Sequence, residues 1–67
     1  MKLVIAGNYR QFKDYLRENK LSELDARFVD RIEQVQGMRG SEIVTYGTWT
    51  DNPLSEHISA VRALVAK

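Results

Sequence analysis

Several polar, aromatic and charged residues follow the predicted strand ends of this chain, where they could form a binding surface. Two segments, residues 7–10 and residues 47–50, combine a glycine with hydrogen-bonding side chains and large aromatic rings. A third segment, residues 30–31, adds two charged side chains. The free N–H groups of a helix that starts near residue 9 would also favour an anion. We expect the ligand- or partner-binding residues to be Asn8, Tyr9, Arg10, Arg31, Thr48 and Trp49.

A structural interpretation of the same residues competes with this functional one. Gly7 and Gly47 are also what the ends of two strands require, and Asn8 is a good helix cap. Two interpretations of Trp49 remain open. It folds back over the core, or it is exposed and anchors an interface.

The patterns of known catalytic sites are missing from the sequence. A phosphate loop needs several glycines, a lysine and a Ser or Thr, whereas Gly7 is isolated and no lysine follows it at the helix start. His57, the single histidine, lies beside an apolar stripe and is expected to be a partly buried or solvated helix residue. The chain has no cysteine, and its acidic residues are scattered among basic ones. We therefore predict no enzymatic activity, no cofactor and no metal site.

Size and charge narrow the class of partner. We expect a chain of 67 residues to form one small domain, residues 1–67. A domain of this size buries only a modest share of its unfolded surface, so its stability is marginal. Its net charge of +1 is too balanced for a strong nucleic-acid attractant, although Arg10, Arg31 and Arg39 near Tyr9 and Trp49 leave weak single-strand binding as an alternative. No apolar stretch approaches the roughly 20 residues of a membrane span, and we expect a cytoplasmic protein.

The first half of the chain predicts a strand, a helix and a second strand. Residues 3–6 form a continuous apolar run, typical of a strand covered on both faces. Asn8 caps a helix from about Tyr9 to Asn19, in which Phe12 and Leu16 recur at helical spacing. Residues 26–29 form a short strand whose charge suits the edge of a sheet.

The second half repeats the alternation. Asp30 caps a helix in which Ile32, Val35 and Met38 are spaced by three, and residues 42–46 form the third strand. Thr50 or Asp51 caps the last helix, with Pro53 in its first turn.

The order strand, helix, strand, helix, strand, helix predicts an α/β fold of the form βαβαβα with a three-stranded parallel sheet. Because only the first strand is wholly apolar, we place it centrally, which gives the strand order 2-1-3. In such Rossmann-like sheets the ligand crevice lies beyond the carboxyl ends of the strands, here between the first and third.

The sequence resembles a group of very short proteins encoded by phages of actinobacteria. The segments that carry the resemblance are residues 4–9 with Gln11 and Phe12, residues 33–40, and residues 46–49. It covers the whole chain and implies expression in the cytoplasm of a bacterial host. The group has no assigned activity, so it implies no role for any residue.

These observations favour a non-enzymatic interaction module, such as a phage accessory protein that binds a host or phage protein or associates with itself as an oligomer. The alternatives are a domain that binds a small ligand or nucleotide in the crevice, and a weak binder of single-stranded nucleic acid.

Overall fold

The computed structural model describes residues 1–66 of the chain. Within this range the strands are β1 (Lys2–Ala6), β2 (Ala26–Phe28) and β3 (Glu42–Tyr46). The α-helices are α1 (Tyr9–Glu18) and α2 (Ile58–Val65). Short 3-10 segments cover Ile32–Gln34, Trp49–Asp51 and Pro53–His57.

The three strands form one parallel sheet in which β1 lies between β2 and β3. The predicted α/β class and the strand order 2-1-3 are therefore confirmed. Lys2 pairs with Ala26 on one side and with Glu42 on the other. Four consecutive residues of β1, Leu3 to Ala6, are fully buried, because the sheet is covered on both faces.

Alternate residues of β1 face two separate apolar clusters, as the two-residue period of a strand requires. The first cluster contains Leu3, Ile5, Val29, Val35, Leu54, Val61 and Val65. The second cluster contains Val4, Ala6, Phe12, Tyr15, Leu16 and Ala26. Helix α1 thus covers one face of the sheet, and α2 with the 3-10 segments covers the other.

The start of α1 agrees with the prediction. The Oδ1 atom of Asn8 accepts a hydrogen bond from the backbone N–H of Gln11 at 2.9 Å, so Asn8 is the N-cap. The helix ends at Glu18, one residue before the predicted end.

The predicted helix after Asp30 is wrong, because only a single 3-10 turn, Ile32–Gln34, forms there. The side-chain Oε1 of Gln34 accepts from the backbone N–H groups of Asp30 and Arg31, at 2.8 and 3.0 Å, and this closes the turn. Gly37 then takes a positive φ of 80°, which an α-helix does not allow. The spacing of three that predicted a helix is the period of a 3-10 turn.

Two other boundaries also differ from the prediction. The cap of the last helical region is Asn52 and not Thr50 or Asp51, since the Oδ1 atom of Asn52 accepts from the backbone N–H of Leu54. Pro53 does occupy the first turn, but that turn is 3-10 and the α-helix begins only at Ile58. None of the helices in residues 1–66 has the length and apolar content that a membrane crossing needs.

Candidate functional site

The side chain of Gln11 fills the crevice that the sequence predicted between the ends of β1 and β3. Its Oε1 atom accepts from the backbone N–H of Gly7 at 2.9 Å and from that of Thr48 at 3.0 Å. Its Nε2 atom donates to the Thr48 hydroxyl oxygen at 2.9 Å. One amide thus bridges the two segments whose proximity was predicted.

This bridge and the helix cap use four of the backbone donors around the crevice. The N–H groups of Gly7 and Thr48 are bonded to Gln11, and those of Gln11 and Phe12 are bonded to Asn8. A Cβ atom on Gly7 would lie 2.7 Å from the carbonyl oxygen of Thr48, so this glycine is required by close contact. Between Gly7 and Thr48 the crevice is therefore occupied by a structural junction.

A second amide, that of Asn52, holds the sheet to the C-terminal region. Its side chain is buried, and its Nδ2 atom donates to the carbonyl oxygens of Ala6 at 2.8 Å and Val29 at 2.9 Å. Ala6 is the last residue of β1, and Val29 directly follows β2. This role was not predicted from the sequence, although an Asn directly before Pro53 is a known signal for a turn.

The remaining predicted site residues do not converge on one pocket. Trp49 is half-buried and packs against the first apolar cluster. Asn8, Arg10 and Thr48 are exposed at the carboxyl edge of the sheet. Arg31 is exposed and lines a separate surface depression of about 490 Å³, together with His57, which is also exposed.

Tyr9 lies elsewhere, in an aromatic groove on the outer side of β2. The rings of Tyr9, Phe12 and Phe28 contact one another with centroid separations of 5.6 to 5.9 Å. Tyr9 is 53% exposed although its ring is large and apolar. The groove has a volume of about 270 Å³, and its walls are Tyr9, Phe12, Glu23, Ala26, Arg27 and Phe28.

A hydrogen-bonded set of three side chains fixes the outer wall of the aromatic groove. Glu23 accepts from the Tyr9 hydroxyl at 2.7 Å and from the Lys13 ammonium at 2.6 Å. The hydrogen bonds from Lys13 and Tyr9 lower the pKa of the Glu23 carboxyl. The same contacts with Glu23 raise the pKa of Tyr9 and of Lys13. Tyr9 is thereby held in one orientation while its ring stays accessible.

Of the walls of this groove, only Tyr9 is among the binding residues expected from the sequence. Phe28 was interpreted only as part of a strand and Phe12 only as part of a helix stripe, which they also are. Glu23 lies in a segment that sequence patterns describe as a connection. One sequence feature does point to the groove: Phe28 is a large aromatic residue on a strand expected at the edge of the sheet.

The chemistry of the described residues is that of contact and hydrogen bonding. Every buried side-chain nitrogen and oxygen atom in residues 1–66 has a hydrogen-bond partner. In the same range, no three His, Asp or Glu side chains are grouped so as to hold a metal ion. Comparison of the sequence with protein-family models, with curated proteins and with solved structures gives no significant match.

Proposed function

We propose that this chain is a non-enzymatic protein-interaction module that binds an extended segment of a partner protein along β2. The observation that carries the proposal is the open edge of β2 beside the aromatic groove. By the resemblance to phage-encoded proteins, we expect the partner among phage or host proteins in the bacterial cytoplasm.

The backbone of β2 has donors that point away from the sheet. The backbone N–H of Lys2 donates to the Asp25 carbonyl, and that of Val29 donates to the Val4 carbonyl. Because backbone groups alternate along a strand, those of Ala26 and Phe28 face outward. No other strand of the described residues lies on that side. An added strand would bond to these groups, as in β-augmentation.

The aromatic groove supplies side-chain affinity for such a strand. Ala26 and Phe28 face the α1 side of the sheet, so side chains of an added strand on that side would meet Tyr9 and Phe12. Leu24, two residues before β2, is a second large apolar side chain near this edge in the chain and is 88% exposed. Exposed large apolar groups that cluster next to an open edge are typical of interaction sites.

The charge of Arg27 predicts which partner residues lie on the face of the sheet opposite the groove. Arg27 alternates with Ala26 and Phe28, so its side chain lies on the opposite face of the sheet, where it is exposed. An acidic residue in the added strand would pair with it across the strands. The preferred segment therefore alternates apolar residues, which face the groove, with acidic residues, which face Arg27.

A random-peptide display selection against the full chain tests this proposal. We expect the enriched peptides to alternate apolar and acidic residues, and to bind Tyr9→Ser at least about fivefold more weakly than wild type because an exposed aromatic anchor is lost. Leu64→Ser is the matched control, since Leu64 is also partly exposed but lies on α2.

A charge reversal gives a second, independent readout. Arg27→Glu should select peptides with basic residues at the formerly acidic positions. The proposal is wrong if no peptide is enriched, if enriched peptides bind Tyr9→Ser as tightly as wild type, or if the charge preference ignores Arg27→Glu.

A further inference from the structure

The opposite edge of the sheet, along β3, is also open and has a different character. The backbone N–H of Glu42 donates to the Met1 carbonyl at 2.9 Å, so Glu42, Val44 and Tyr46 direct their backbone groups toward β1. The backbone groups of Ile43 and Thr45 consequently point outward, and no hydrogen bond within residues 1–66 reaches them.

The side chains of β3 do not protect this edge against pairing. Natural edge strands are blunted by charges, prolines or bulges. Here residues 43–46 read Ile-Val-Thr-Tyr, with no charge and no proline, and all four are half-buried. The one charged residue of the strand, Glu42, lies at its first position. Within residues 1–66 the structure thus leaves a strand edge of five residues, three of them β-branched, without a neighbouring strand.

We propose that the occupant of this edge is a second copy of the chain, paired antiparallel through β3 about a two-fold axis at Val44. In this register Ile43 of each copy lies opposite Thr45 of the other. Both residues point their backbone groups outward, so each such pair exchanges two hydrogen bonds. Val44 lies opposite its own symmetry mate, and the product is a continuous six-stranded sheet in the order 2-1-3-3-1-2.

Charge favours this antiparallel self-pairing over a parallel one. Antiparallel pairing puts each Glu42 opposite Tyr46 of the other copy, and the two carboxylates lie at opposite ends of the strand pair, about 13 Å apart. That separation exceeds the Debye length of about 8 Å at physiological ionic strength. A parallel addition of β3 would bring the two Glu42 side chains together. The net charge of +1 adds little repulsion between copies.

The side-chain pairs across the two-fold axis are compatible with the sheet. Ile43 packs on the first apolar cluster, and Val44 and Tyr46 pack on the second. Pairs of β-branched residues across strands are stabilising, and the pairing of Val44 with Val44 and of Ile43 with Thr45 meets this condition on both faces. An isologous contact of this kind closes on itself and gives a dimer without leading to a fibre.

Sedimentation velocity from micromolar to millimolar concentration tests the dimer. The interface is small beside the roughly 1,200 Å² of a standard stable complex, so we expect association only within this range. Thr45→Pro removes an outward N–H that no bond to β1 uses, and should weaken the dimer at least about tenfold. Thr45→Val keeps that N–H and is the matched control, with dimerisation expected as in wild type.

Amide hydrogen exchange keeps the test decisive even if Thr45→Pro fails to fold. In the wild-type chain, the amides of Ile43 and Thr45 should gain protection as concentration rises, while that of Val44 is protected throughout by its bond to β1. A chain that stays monomeric at millimolar concentration, or whose Ile43 and Thr45 amides exchange independently of concentration, overturns the proposal.

Discussion

Asn52 is expected to be the most sensitive polar position in the fold, because one buried amide satisfies three backbone groups. Asn52→Ala leaves the carbonyls of Ala6 and Val29 and the N–H of Leu54 without their partner in the interior. Each unsatisfied buried group costs about 1–3 kcal/mol. For three such groups we therefore expect a loss of about 3–9 kcal/mol in the free energy of unfolding. A chain of this size is stable by only about 3–10 kcal/mol.

Asn52→Asp separates the two roles of the amide. Aspartate is as good a cap as asparagine, so the bond from the Leu54 N–H would survive. The two donor bonds would be lost, and a carboxylate oxygen would face the carbonyl oxygens of Ala6 and Val29. We expect this nearly isosteric change to destabilise the chain at least as much as Asn52→Ala.

Urea denaturation, followed by circular dichroism and by Trp49 fluorescence, measures both losses. Asn8→Asp is the matched control, because Asn8 is an exposed cap whose side chain is seen only to accept, and its change should cost nothing or stabilise slightly. The reasoning is refuted if Asn52→Asp is as stable as wild type, since capping alone would then account for the residue.

Three further perturbations test the crevice and the aromatic groove. Gly7→Ala should lower the free energy of unfolding by about 2–3 kcal/mol, because the added Cβ clashes with Thr48. Gly37→Ala, with open space around it, should lower it by about 1 kcal/mol from backbone strain alone. Equal losses of the two variants in urea denaturation would contradict the steric argument. Tyr9→Phe should raise the pKa of Glu23 toward its ordinary value, and an unchanged value in a carbon NMR titration of that carboxyl would contradict the bond. Because folding lowers the pKa of Glu23, its stabilisation is complete above the pKa of the unfolded chain and is lost as pH falls through the folded value; the melting temperature of Glu23→Gln should therefore fall less in acid than that of wild type.

The sheet and α1 could be predicted because their signals are local. The apolar run identifies β1, and Asn8 identifies the start of α1, from residues that lie only a few positions apart in the chain. The middle crossover could not be predicted in the same way, because the apolar residues after Asp30 have one spacing that suits both a helix and a 3-10 turn. Gly37 and the side chain of Gln34 decide between them.

The predicted binding surface depended on information that the sequence does not hold. The position of the crevice followed correctly from the strand order, but Gln11 reaches Thr48 across 37 positions of the chain to fill it. Asn52 likewise acts on Ala6 across 46 positions. Such amide bridges depend on the final placement of the backbone, and an Asn or Gln has no pattern around it that announces them. The aromatic groove also depends on that placement, which brings Tyr9 and Glu23 beside Phe28, although an aromatic residue on an expected edge strand was a local signal for it.

The central position of β1 has a consequence for how the chain acquires its structure. This strand is synthesised first, yet both of its neighbours come later, with Lys2 paired to Ala26 and to Glu42. Such distant pairings slow folding, because the chain loses loop-closure entropy before the stabilising contacts between strands can form. On the ribosome, β1 has β2 available as its first partner but lacks its second neighbour until β3 emerges. The apolar β1 is therefore covered on both edges only after residues 42–46 are available, although it is the first of the three strands to be made.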